Sequence, residues 1–193
     1  FRFPLIPMDQ ALVATEMGRE LATLMMLFAP AALVTRSALE RFAWFCYGFG
    51  VWDLFYYVWL KVLLNWPATW ADPDLLFLLP VPWVGPVWAP CLVSLGLIIL
   101  AVLILRGTTV RPLGLVDGWA STWLVIGALA LMLSFVIEPW QRGLQLDAVQ
   151  HTAEPSATRT YVPDYFPWHW FALGCMFAMI GMTRIFRRGC LPP

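Results

Sequence analysis

The strongest constraint in this sequence is a set of five apolar stretches, each close to the roughly 20 residues that a helix needs to cross a bilayer. They cover about residues 11–34, 42–64, 85–105, 118–137 and 167–186. Strands of a membrane barrel alternate in polarity at every second residue, and the run 97–105 is apolar throughout. The sequence therefore predicts an all-α, polytopic transmembrane helix bundle that forms a single integral membrane domain over residues 1–193.

The composition agrees with a membrane protein. Apolar residues make up 61% of the chain and charged residues 12%, whereas a soluble domain carries about 25% charged residues. The formal net charge is zero, and no block of basic residues offers itself to phosphates along a strand. These observations argue against a nucleic-acid partner and leave no room for a separate soluble catalytic domain.

The charges on alternate connections predict the orientation, because Lys and Arg in short loops stay on the cytoplasmic side. One side has only two acids, Glu40 and Asp117. The seven arginines on that side are Arg36, Arg41, Arg106, Arg111, Arg184, Arg187 and Arg188. With five spans, the C-terminus is predicted to be cytoplasmic. The chain starts at Phe1 rather than Met, which leaves a sixth span upstream as an alternative.

The two outer connections, residues 65–84 and 138–166, are the long ones. The first contains an apolar run, 75–83, that is too short to span and is bracketed by prolines. We expect it to lie in the interface or to dip into the membrane and return. The second is polar and is expected to be an exposed loop that leads back to the fifth span.

An intramembrane polar cluster is the main candidate for a site. An ionised carboxylate near the middle of a span, such as Asp53, costs about 2.5–3.5 kcal/mol unless it is paired. Arg19 or Lys61 is the expected cation and Tyr57 the expected hydrogen-bond donor. The whole predicted cluster comprises Glu16, Arg19, Glu20, Asp53, Tyr56, Tyr57, Lys61 and Glu138. It either fixes helix register or forms a proton path, a quinone head-group site or a metal site.

The residues that could bind a cofactor are few. The two histidines, His151 and His169, cannot supply a buried bis-histidine haem, although His169 is a weak candidate for one axial ligand to a shared haem or pigment. The Glu-x-x-His spacing of di-iron bundles and the Cys-x-x-Cys motif are absent, so we expect no metal and no cofactor bound by this chain alone. Contact with lipid, quinone or pigment stays open. No catalytic motif identifies an enzyme.

The stretch 49–61, with its Trp-Asp-x-Phe-Tyr-Tyr core, is followed by Trp66-Pro67 and by the Pro- and Trp-rich run 74–87. It resembles a family of uncharacterised bacterial polytopic membrane proteins. The resemblance implies a multi-pass protein of the bacterial inner membrane and marks Asp53, Tyr56, Tyr57 and Lys61 as characteristic. It implies no activity.

Three functions remain in competition. The leading hypothesis is a non-catalytic accessory or scaffold subunit of a larger membrane complex, such as a respiratory or photosynthetic electron-transfer assembly, with other integral membrane subunits and lipids as partners. A second is a small transporter or proton-conducting protein that uses Asp53, Tyr57 and Lys61. A third is a lipid- or quinone-modifying membrane enzyme. Its acid–base candidates are Glu16, Glu20 and His169.

Small residues in the fifth span bear on the first hypothesis. Gly174, Cys175, Ala178 and Gly181 lie at spacings that permit close approach of another helix. They are expected to face either a partner subunit or another helix of the same bundle.

Overall fold

The computed structural model describes residues 10–111, 113–141, 163 and 165–190, except for the side chains of Gln10 and Leu12. Helices dominate this part of the chain, as predicted. They are α1 (Gln10–Val34), α2 (Ala38–Leu64), α3 (Trp88–Val110), α4 (Gly118–Gln141) and α5 (Trp168–Cys190). Each predicted span falls on one helix, with shifts of a few residues at the ends. The greater part of the predicted loop 138–166, including His151, lies outside the described residues.

Four of the five helices are long and apolar enough to cross a membrane, namely α3, α4, α5 and residues Val13–Val34 of α1. The exception, α2, is 27 residues long and carries four charged residues, including Asp53 and Lys61. The structure is therefore that of a helical bundle compatible with a multi-pass membrane protein.

The helices pack in the order α1, α2, α3, α5, α4. Ser37 starts α2 by accepting a hydrogen bond from the Glu40 backbone N–H at 3.5 Å. Asn65 ends α2 in the left-handed conformation, with φ 50°. We call the end where α2 stops and α3 begins the hairpin end. The opposite end, where α1 stops and α2 begins, is the arginine end.

Glycines allow α4 and α5 to pack closely along their contact, which we call the α4–α5 seam. A Cβ atom added to Gly127 would lie 2.7 Å from the backbone N of Ala178, and one added to Gly174 would lie 2.8 Å from the backbone N of Leu131. Gly181 meets α4 in the same way, 3.1 Å from the Ala120 carbonyl. The small residues of the fifth span therefore pack within this bundle. Of the two alternatives for that face, the structure shows the internal one.

The connection between α2 and α3 contains a β-hairpin, which the all-α prediction did not include. Strand β1 (Pro73–Phe77) pairs antiparallel with β2 (Trp83–Pro86), and Asp74 lies opposite Gly85. A Cβ at Gly85 would lie 2.7 Å from the Phe135 ring of α4, so glycine permits the strand to pack there.

The tip of the hairpin, residues 78–82, reaches toward the middle of the bundle. The Phe77 ring stacks on Phe49 of α2 at a centroid distance of 5.9 Å. Phe49 lies about four helical turns, or about 22 Å, before the last residue of α2. The hairpin therefore dips between the helices and returns, which is one of the two placements predicted for this apolar run.

Replacing Gly127 by Ala tests the α4–α5 seam. The added methyl group meets backbone atoms of α5, which cannot rotate away, so we expect a loss of about 1–3 kcal/mol in stability. The matched control is Gly96→Ala in α3, where nothing lies within 4 Å of the added Cβ. Thermal unfolding in one detergent measures both. Equal stability of the two variants would contradict this packing.

Candidate functional site

Asp53 lies in the seam between α2 and α3. Its side chain is buried, and its Oδ2 accepts a hydrogen bond from Ser94 Oγ of α3 at 2.8 Å. Ser94 is only 1% exposed. The helices meet closely here, because a Cβ added to Gly50 would lie 2.6 Å from the Ser94 carbonyl oxygen. A neutral hydroxyl group, rather than a cation, is therefore the partner of the mid-span carboxylate.

Tyr57 joins α2 to the base of the hairpin. Its hydroxyl donates to Asp74 Oδ2 at 2.9 Å, and the Leu75 backbone N–H donates to Asp74 Oδ1 at 2.9 Å. Burial raises the pKa of Asp74 to about 6, and the negative charge of Asp53 acts in the same direction, against these two hydrogen bonds. Tyr57 therefore donates its hydrogen bond to Asp74, and not to Asp53 as predicted.

Glu20 of α1 binds the hairpin tip. Its carboxylate accepts the backbone N–H of Leu78 at 2.9 and 3.1 Å and that of Leu79 at 3.2 Å. The Glu20 residue is 5% exposed. Two amide groups that would otherwise be unsatisfied at the hairpin tip, one buried and one part-buried, thus acquire a carboxylate acceptor.

The cations predicted to neutralise Asp53 have other partners. Arg19 Nε contacts Glu16 Oε2 at 2.7 Å, in an ion pair whose side chains are 57% and 33% exposed. Lys61 Nζ donates to the carbonyl oxygen of Pro67 at 2.8 Å. The predicted pairing of Asp53 with Arg19 or Lys61 is therefore wrong. The segment between α2 and the hairpin supplies the acceptor that holds Lys61 near the end of α2.

We call the carboxylates of Glu20, Asp53 and Asp74, with the groups that donate to them, the carboxylate layer. The other predicted cluster residues lie around this layer. The Tyr56 ring stacks on Trp52 with centroids 6.1 Å apart and meets Tyr57 edge-on at 5.2 Å. Glu138 is buried in α4, one turn beyond Ser134. His169 is exposed at the hairpin end, with its ring 5.7 Å from that of Trp170.

An aromatic cluster fixes the other side of the hairpin. Trp83 of β2 stacks on Phe135 of α4 at 6.2 Å, and Phe135 meets Phe171 of α5 edge-on at 6.0 Å. Trp88 and Trp168 stack at 4.5 Å with an angle of 5° between their planes. Polar contacts with α1 and α2, the Phe77–Phe49 stack on α2 and the Trp83–Phe135 stack on α4 thus hold the hairpin against these three helices.

The sequence analysis missed two residues of the site, Asp74 and Ser94. Each left a signal in the sequence. Ser94 is a polar residue in the apolar first half of α3, and Asp74 directly precedes the apolar run that forms the hairpin. Their pairing with residues of α2 became visible only once the hairpin had been placed against the bundle.

In chemical terms, the carboxylate layer consists of carboxylate groups that accept hydrogen bonds from uncharged donors. Three buried carboxylates, Glu20, Asp53 and Asp74, receive hydrogen bonds from backbone amides, a serine and a tyrosine. In the part of the chain that the structure describes, no group of three or more His, Cys, Asp or Glu side chains is arranged to hold a metal ion. The four cysteines, Cys46, Cys91, Cys175 and Cys190, are free thiols. The arrangement is suited to holding the hairpin in place.

Comparisons of the chain with protein-family models, with curated proteins and with solved structures find no match.

Glu20→Ala tests the carboxylate that holds the hairpin tip. Removing the acceptor leaves the buried Leu78 amide and the part-buried Leu79 amide without this partner, and the buried group alone costs about 1–3 kcal/mol. The control is Glu16→Ala, which removes a partly exposed carboxylate one turn away and is expected to change stability by less than about 0.5 kcal/mol. Thermal unfolding in detergent compares the two. Similar losses would show that Glu20 does not hold the tip.

Asp74 predicts a pH dependence of stability. A folded-state pKa of about 6, above the usual 3.8, means that the stabilising effect of protonated Asp74 is complete below about pH 4. It is lost as the pH rises through 6. Between pH 5 and 7.5, wild type should lose about 1 kcal/mol relative to Asp74→Asn. The measurement is the difference in unfolding free energy between the two proteins at each pH. A difference that is constant with pH would refute the assignment.

Proposed function

We propose that this chain is a non-catalytic accessory or scaffold subunit of a larger assembly of integral membrane proteins. The observation that carries the proposal is the outward face of α2 near the hairpin end. Phe55 and Trp59 are 55% and 56% exposed there, and Leu63 is 73% exposed. A groove of about 420 Å³ on this face is lined by Trp52, Phe55, Tyr56, Trp59, Leu60, Leu63 and Leu64. Large aromatic side chains beside a groove are the groups that anchor protein interfaces.

The buried polar layer supports the same proposal. Glu20, Asp74 and Tyr57 bond to one another or to the hairpin backbone, so their hydrogen-bonding capacity serves the structure. A scaffold needs this rigidity, because a preformed surface loses less entropy when a partner binds.

We propose that all five helices cross the membrane. In α2, Tyr57 and Asp53 are buried between neighbouring helices, so its polar side chains need not face lipid. The proposed setting is a bacterial inner membrane with the C-terminus in the cytoplasm, on the basis of the arginine distribution. Within that membrane, we propose an electron-transfer assembly whose partner subunits bind the redox cofactors.

A transporter or proton-conducting protein is the second candidate, and the Asp53 and Asp74 carboxylates favour it. The packing in the adjoining part of the α2–α3 seam argues against a proton path. Toward the arginine end, a buried apolar cluster fills the space, including Cys46, Leu100 and Ile104. In this conformation a proton that reached Asp53 from the hairpin end would meet apolar side chains beyond it. The enzyme alternative is weaker, because the Glu20 carboxylate is occupied by backbone amides.

Site-specific crosslinking tests the scaffold proposal. A photoreactive amino acid at Trp59, on the groove face of α2, should give a crosslink to a discrete membrane protein in native membranes. The control position is Leu95 of α3, which is 48% exposed and lies away from that face. Mass spectrometry identifies the product, and mild-detergent purification with an absorption spectrum shows whether it carries haem or pigment. Crosslinks to lipid alone at both positions would contradict the proposal. Solute or proton transport by the reconstituted chain alone would favour the second candidate.

Single-cysteine labelling tests the proposed topology. In a background without the native cysteines, Ser37→Cys and Leu113→Cys should react only when the reagent has access to the cytoplasmic side. Ala71→Cys should react from the opposite side. Labelling of Ala71→Cys and Leu113→Cys from the same side of a sealed membrane would rule out the five-span arrangement.

A further inference from the structure

We propose that the arginine end of the bundle is a binding surface for the phosphate headgroups of anionic phospholipids, centred on Arg106 of α3 and Arg187 of α5. This inference concerns the opposite end of the molecule from the carboxylate layer. It does not depend on the proposed scaffold function.

The charge balance at this end is strongly positive. Seven arginines lie on the connection between α1 and α2, in the first turn of α2, near the end of α3 and near the end of α5. The two acids at this end are Glu40 and Asp117, which leaves an excess of five positive charges. Asp117 is already shared, because its Oδ2 contacts Arg184 at 2.9 Å and Arg188 at 2.6 Å. Glu40 accepts a hydrogen bond from Thr35.

Asp117 stays ionised in this arrangement. The Ala120 backbone N–H donates to its Oδ1 at 3.0 Å, and this bond, together with Arg184 and Arg188, holds the pKa of Asp117 below its usual range. One carboxylate thus neutralises part of the charge of two arginines. Both of its oxygens already accept hydrogen bonds, Oδ1 from Ala120 and Oδ2 from the two arginines.

Arg106 and Arg187 are exposed. Neither has a carboxylate within 4 Å among the residues that the structure describes. Both lie close to one junction, since a Cβ added to Gly189 would lie 3.3 Å from the Cα of Gly107. The ends of α3 and α5, which carry the two arginines, therefore lie close together. Their guanidinium groups can donate paired hydrogen bonds to phosphate oxygens.

Exposed apolar side chains accompany these arginines. Val110 is 51% exposed, Leu113 in the connection to α4 is 87% exposed, and Phe186 is 56% exposed. Apolar groups beside cations match the boundary between headgroups and acyl chains, where phosphate meets hydrocarbon. A soluble acidic protein would satisfy the arginines but would leave these side chains in water. A surface that combines arginines with exposed apolar side chains therefore favours a lipid as the ligand.

Lipid retention tests the proposal. Protein is reconstituted in vesicles with equal amounts of phosphatidylglycerol and phosphatidylcholine, extracted in a neutral detergent, and examined by native mass spectrometry. Wild type should retain phosphatidylglycerol preferentially. Each arginine near a lipid surface contributes about fivefold in affinity, so Arg106→Gln with Arg187→Gln should reduce that preference by about 25-fold. The matched control is Arg19→Gln, an exposed arginine near the hairpin end, which should keep the preference.

Folding and the source of the phosphate are controlled in the same experiment. The double variant should unfold within a few degrees of wild type in phosphatidylcholine, and if it does not fold, Arg187→Gln alone replaces it with an expected fivefold loss. Inorganic phosphate added to the wild-type sample should not displace the bound lipid. An unchanged preference in the variant would overturn the proposal. So would displacement by inorganic phosphate, or a wild type with no preference.

Discussion

The hydrogen bonds from the amides of Leu78 and Leu79 to the Glu20 carboxylate are the contacts on which the packing at the hairpin end of this bundle depends. A chain that turns back in the middle of a bundle exposes backbone groups where water is scarce, and each unsatisfied group there costs several kcal/mol. A charged acceptor from α1 meets two such groups at once. Glu20, one of the acid–base candidates of the enzyme hypothesis, is thereby explained by the backbone that it binds.

The rest of the hairpin follows from that placement. With the tip held by α1, Phe77 reaches Phe49 and Asp74 reaches the Tyr57 hydroxyl. Trp83 of the opposite strand, β2, then stacks on Phe135 of α4. The hairpin therefore links α1 and α2, through polar contacts and the Phe77–Phe49 stack, to α4, which is distant from them in the packing order.

The sequence predicted the helices well, because apolar stretches of about 20 residues have few alternatives. It also indicated that the run 75–83 was too short to span. The partner of Asp53 was predicted wrongly for a physical reason. Charge complementarity suggested Arg19 or Lys61, but Ser94 lies across the close α2–α3 contact at Gly50, and a hydroxyl group at 2.8 Å is the available donor. Helical spacing within one helix does not reveal which neighbour lies opposite.

The α4–α5 seam shows the same limit. Spacing alone identified Gly174 and Gly181 as points of close approach and left the other helix open. The backbone contacts with Gly127 and Ala120 determine it. The bonding of the carboxylate layer and the exposed aromatic face of α2 are the two observations behind the proposed scaffold role. Its partners are expected along the groove face, and lipid headgroups at the arginine end.

Hydrogen exchange of the Leu78 and Leu79 amides tests the central claim most directly. The protein is placed in lipid nanodiscs, exposed to deuterated water, and fragmented to resolve the amides of the hairpin tip. The account predicts that these two amides exchange as slowly as those in the middle of α3, because both are bonded to the buried Glu20 carboxylate. Exchange at the rate of an exposed loop would contradict a hairpin seated within the bundle by carboxylates.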